Sequence, residues 1–145
     1  ALDDESAGHY AFNDVHAVMA AVGAGRPAMA AGIVEALEAA SLRRGDNAMF
    51  SAEVGLKLAR AIVAFGRGEH RQAAALIRPI RGIAHRFGGS HAQRDVIDLT
   101  LIEAALRSGE AALARGLIAE RAARRHESPL TRLFMARGRG EAVAA

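Results

Sequence analysis

The sequence predicts an all-α fold of about seven helices paired as hairpins, and three observations carry that expectation. Ala, Leu, Arg and Glu, all good helix formers, dominate every segment between glycines. Aromatic residues are only 4% of the chain and β-branched residues are sparse, so no segment reads as a strand. Glycines and prolines divide the chain into helix-length pieces with short links, as antiparallel neighbours require.

The first helix is expected over 9–23, ending at the Gly23-Ala24-Gly25 turn. The second, 27–41, opens on Pro27, whose missing N–H would have no intrahelical partner at the first position. A third spans 50–66 and a fourth 69–86. Pro79 lies inside that fourth segment, where it deletes a hydrogen bond at a cost of roughly 3 kcal/mol, so a curved or broken helix is expected. Gly88 and Gly89 end it. The fifth helix, 91–107, starts from Ser90 with Gln93 three residues on, a capping box in which each side chain serves the other's free amide. A sixth runs over 110–125, and a seventh over 129–137 with Pro129 in its first turn and Ser128 as N-cap.

The 145 residues suit one domain, and 51% hydrophobic content is enough to bury a core. Without cysteine there is no disulfide framework, thiolate metal site or cysteine nucleophile, and a reducing cytoplasm is the expected home. Every apolar run is cut well short of the roughly 20 residues that a membrane span needs. Lys57 is the only lysine among 19 basic residues. Residues 1–42 hold one base against six acids, and the remainder eighteen against ten. The arginines are scattered through helical patterns, which reads as solvated helix faces or as the coding bias of a GC-rich, bacterial-type genome.

Three segments align on a turn glycine: Gly25-Arg-Pro-Ala-Met-Ala30, Gly68-Glu-His-Arg-Gln-Ala73 and Gly109-Glu-Ala-Ala-Leu-Ala114, at intervals of 43 and 41 residues. Each carries a small residue five positions on (Ala30, Ala73, Ala114) and an apolar one four later (Val34, Ile77, Ile118), which lets paired helices approach closely. Units of about 9–41, 50–86 and 91–125, closed by a capping helix over 128–138, follow from that period.

These residues resemble tetratricopeptide repeats, in which a turn glycine, a closely packed alanine and a following apolar residue hold the same places. The position where that family favours a large aromatic holds Asp14, Lys57 and Asp98 here. HEAT-type repeats, at roughly 40–47 residues, fit the period equally well. A narrower resemblance covers nearly the whole chain. His16-Ala-Val-Met-Ala-Ala-Val-Gly-Ala-Gly-Arg26, Pro79-Ile-Arg81, Gly88-Gly-Ser-His-Ala-Gln-Arg-Asp95 and Leu101-Ile-Glu-Ala-Ala-Leu106 look like the C-terminal part of the tetratricopeptide repeat protein 38 family, as do Leu117-Ile-Ala-Glu-Arg121 and Ser128-Pro-Leu130. The resemblance implies a right-handed stack of helical hairpins, a fragment of a longer protein, and no assigned reaction.

Candidate chemistry is thin. Ser90, His91 and Asp95 are the residue types of a hydrolase triad, but neighbours on one helix do not align nucleophile, base and orienter. Ser90, Gln93, Arg94 and Asp95 read instead as a structural polar motif of buried hydrogen bonds and an ion pair between repeats. His9, Asn13 and His16 share a helical face, as do His91 and Asp95, yet either pair would need a further metal ligand from another helix. Gly23-Ala-Gly25 and Gly88-Gly89 have no preceding strand and no following Gly-Lys-Ser, so they are turns and not phosphate loops. The basic set Arg121, Arg124, Arg125, Arg132, Arg137 and Arg139 has only Phe134 nearby for base stacking, which disfavours nucleic acid. No catalytic, cofactor or metal site is expected.

In a tetratricopeptide array the first helices line a groove. The positions expected there are Phe12, Val15, His16 and Met19, then Leu58, Ile62 and Phe65, then Val96, Leu99 and Glu103. So apolar a stripe calls for a cover: a protein or peptide segment, a second copy, or the missing N-terminal part of the parent chain. With the helix faces exchanged, the same stripe is core. The expected function is a noncatalytic protein-interaction scaffold, with apolar anchors for affinity and rim arginines such as Arg60 and Arg107 selecting an acidic partner. The rival readings are an accessory C-terminal part of a larger enzyme or ligand-binding protein, and an arginine-rich nucleic-acid-binding repeat.

Overall fold

A computed structural model describes residues 11–42, 54–87, 91–125 and 128–140. Seven α-helices occur among them, with no strand: α1 (Ala11–Gly23), α2 (Pro27–Ser41), α3 (Leu56–Gly66), α4 (His70–Ile77), α5 (His91–Arg107), α6 (Ala111–Arg125) and α7 (Pro129–Gly138). A 3-10 helix, Arg78–Phe87, joins α4 to α5. No helix among the described residues is long and apolar enough to cross a membrane.

The hairpin turns repeat atom for atom. Gly25, Gly68 and Gly109 all adopt positive φ, at 64°, 79° and 74°. In each, the residue after the glycine donates its amide back five positions, closing a six-residue loop: Arg26 to Ala21 (2.9 Å), Glu69 to Ala64 (2.9 Å) and Glu110 to Ala105 (3.0 Å). The glycine amides themselves reach Val22, Phe65 and Leu106. This is the Schellman closure, which satisfies the last carbonyls of a helix and needs a left-handed residue that only glycine supplies without steric cost. The next helix starts at once, with Ala30, Ala73 and Ala114 bonded to Arg26, Glu69 and Glu110 and completely buried.

Pro27 and Pro129 occupy the first helical turn as expected. Ser128 stands at the N-cap in extended conformation, but its side chain makes no cap bond, so that part of the expectation fails. The Ser90–Gln93 capping box lies outside the described residues. Pro79 breaks its helix by changing the helix type. An α-helix through this point would ask Pro79 for an amide that it lacks, and the chain tightens after Ile77 into three residues per turn.

Each second helix sits between two consecutive first helices: α2 packs on α1 and α3, α4 on α3 and α5, and α6 on α5 and α7. The first helices α1, α3 and α5 also touch in sequence, with α7 next to α5. Val15, Val18, Leu37, Leu58, Ile77, Ile80, Ile97, Leu101 and Ile102 form one continuous core, each buried side chain contributing about 1.5–3 kcal/mol. Where α3 ends, Gly66 lies so close to Val22 of α1 that a Cβ would overlap the valine side chain. Gly116, inside α6, faces open space. Gly66→Ala should therefore destabilise the fold by about 1–2 kcal/mol, whereas Gly116→Ala should stabilise it by about 0.5–1 kcal/mol; urea unfolding of both variants checks the pair of signs.

Candidate functional site

The residues of the expected groove divide between the interior and its margin. Val15 and Leu58 are fully buried, and Phe12 and Ile62 are more than nine-tenths buried, so at these positions the stripe is packing between helices. Met19, Phe65, Val96 and Leu99 are half-buried at the margin of the core. His16 is also half-buried; its ring lies 4.3 Å from that of Phe12, and its Nδ1–H donates to the Phe12 carbonyl at 2.8 Å. Phe65 meets His70 at 5.0 Å and carries the Arg107 guanidinium 5.4 Å above its ring. Glu103 is a clasp: it accepts from Arg107 at 2.6 Å and from both terminal nitrogens of Arg137 at 2.6 and 3.0 Å, tying α5 to α7. Arg60, one of the expected rim arginines, pairs with Glu38 across the surface.

Of the polar motif, Ser90 and the side chains of Gln93 and Arg94 lie outside the described residues, as do His9 and the side chain of His91. Asp95 is described, and both its oxygens accept from Arg121, at 2.7 and 3.0 Å. The Arg121 side chain is only 8% exposed and that of Asp95 16%. The pair joins α5 to α6 within one hairpin, not one repeat to the next as expected. Among the described residues no cluster of His, Asp or Glu could hold a metal ion.

Arginines of the 3-10 helix and of the end of α6 converge on a cleft of about 660 Å³ between the 3-10 helix, α5 and α6. A helix with three residues per turn has three straight rows of side chains. Ile77, at the end of α4, continues as the buried Ile80 and the half-buried Ile83 on the core side, Pro79 faces solvent, and Arg78, Arg81 and Ala84 line the cleft with Gly82 at its exposed edge. From α5 come Asp95 and Asp98, and from α6 Arg121, Arg124 and Arg125. Arg81 donates to Asp98 at 2.6 Å and pairs with Glu120 at 2.6 Å. Glu120 also accepts from Arg124 at 3.3 Å, and Arg125 approaches Asp95 at 3.7 Å. These bonds hold the Arg81 pKa above its ordinary value, chiefly through Asp98, and Arg81 in turn holds Glu120 below its own.

Sequence reasoning passed over this cleft because it counted the arginines as dispersed. The signal was present in the triplets Arg78-Pro-Ile80 and Arg81-Gly-Ile83, a period of three that no α-helix shows. No family model matches the chain, and no solved structure matches it.

Arg137, followed by Arg107, holds the Glu103 carboxyl below its ordinary pKa. A lowered folded-state value means that the stabilisation is complete above the unfolded pKa and is lost as pH falls through the folded one. Glu103→Gln should cost about 1–2 kcal/mol at neutral pH, and the gap from the parent should close in acid. Thermal unfolding across a pH series measures it.

Proposed function

We propose that the chain is a noncatalytic protein-interaction scaffold of tetratricopeptide-repeat type. The observation that supports it best is the threefold recurrence of one hairpin: the same left-handed glycine turn, the same buried alanine five residues on, and second helices seated between consecutive first helices. Such a unit gains its stability by stacking and leaves an extended face for binding. The right-handed superhelix and the kinship with the tetratricopeptide repeat protein 38 family belong to the same reading.

The face assigned to a partner is the margin of the first-helix layer, where His16, Met19, Phe65 and Leu99 are half-buried and Arg107 covers part of Phe65. A peptide with apolar anchors fits such a margin, because a few well-packed side chains supply most of the affinity of an interface. The test is a fluorescence-anisotropy screen of defined acidic, basic, apolar and proline-rich peptides, on the parent chain and on Met19→Asp and Leu99→Asp variants checked for folding by circular dichroism. A subset of peptides should bind, and the folded variants should bind them roughly ten-fold more weakly. Failure of every peptide to bind, or equal binding by the variants, contradicts the proposal.

A further inference from the structure

The cleft on the third hairpin holds more positive charge than its own carboxylates use. Five guanidiniums line it, against Asp95 and Asp98 in the lining and Glu120 behind Arg81. Arg121 is fixed by its two-point bond to Asp95, yet its buried Nε–H has no acceptor. Arg125 reaches Asp95 only at 3.7 Å, longer than a hydrogen bond, and Arg124 donates one long bond to the exposed Glu120 at 3.3 Å while reaching Asp98 only at 4.0 Å. Arg78 is exposed, with no hydrogen bond or ion pair to another described residue.

The arrangement selects among anions. Its carboxylates orient Arg81 and Arg121, whose guanidiniums are set before a ligand arrives, and leave donors of Arg78, Arg124 and Arg125 for that ligand. Donors come from two elements that face each other across the cleft, the 3-10 helix with Arg78 and Arg81 and the end of α6 with Arg121, Arg124 and Arg125. A single carboxylate is planar and satisfies one fork or two, while a phosphoryl group offers three oxygens in a tetrahedral array. The surplus of two charges over the three carboxylates calls for a multiply charged ligand. A volume of about 660 Å³ falls within the roughly 300–1,000 Å³ of small-molecule sites. No aromatic side chain lines the cleft among the described residues, so a nucleobase would find nothing to stack on.

We propose that this cleft binds a small molecule carrying at least two phosphoryl groups, contacted by Arg78, Arg124 and Arg125, with Asp95, Asp98 and Glu120 holding Arg81 and Arg121 in place beside them. It goes beyond the scaffold reading and stands apart from the first-helix margin.

The experiment is isothermal titration of the whole chain with inorganic pyrophosphate at low ionic strength, followed by competition with hexaglutamate and with oligouridylate. One pyrophosphate should bind per chain. Arg78→Gln with Arg125→Gln should weaken binding about ten-fold or more while leaving the thermal unfolding curve in place. Arg78→Gln alone, which breaks no bond among the described residues, should weaken it by a smaller measurable factor, so a folding defect in the double variant would not obscure the result. Arg67→Gln, which removes an exposed charge outside the cleft, should change nothing. Absence of binding, unchanged binding by both cleft variants, or an equal loss on Arg67→Gln overturns the assignment. Displacement of pyrophosphate by hexaglutamate or oligouridylate at lower concentration also overturns it, in favour of an acidic peptide or an RNA surface.

Discussion

A helix can reverse within two residues only if its last carbonyls find donors and one residue takes positive φ, and this chain meets that demand three times with the same atoms. At Gly25, Gly68 and Gly109 the six-residue back-bond ends the first helix and fixes where the second begins. The position of the second helix then decides which of its residues faces its partner, and at all three places that residue is a buried alanine. Because alanine lets the two backbones approach, Leu37, Leu58, Ile77 and Leu101 close over a shared interior. A different turn would rotate the second helix and break the core that its neighbours share.

The third hairpin shows how charge is placed on this frame. Burying a guanidinium costs several kcal/mol unless it is paired with good geometry. Arg121 is buried in company with Asp95, and its two-point bond locks the end of α6 to the start of α5. Arg81 is carried by the 3-10 helix into reach of both Asp98 and Glu120. The switch of helix type at Pro79 thus has a consequence at the surface: it turns a row that α-geometry would spread around the helix into a line of basic side chains beside α6.

Much of the fold was legible in sequence because its signals are local. Helix ends follow from Pro27, Pro129 and the turn glycines, and the recurring Gly-to-Ala spacing marked the hairpins before any coordinates. The first-helix stripe was harder, since the same period suits a groove or a core, and only packing assigns Val15 and Leu58 to the interior. Pro79 announced a break but not its form, because a proline allows a kink, a stop or a tighter helix. The cleft escaped notice because its partners, Arg81, Asp98 and Glu120, lie on three elements, and nothing in their sequence separation brings them together. Ser128 has the right residue type and backbone for a cap, and its missing side-chain bond has no counterpart in sequence.

The claim that one repeated turn sets the stack is tested most directly by replacing Gly25, Gly68 and Gly109, one at a time, with Ala and with Asn, and measuring unfolding free energy in urea. No neighbouring atom would touch an added Cβ at any of the three, so the cost is that of a left-handed L-residue alone. The expected result is a loss of about 1–2 kcal/mol for each alanine and a smaller loss for each asparagine, which tolerates that conformation better. Alanine accepted without loss at any of the three positions would contradict the account.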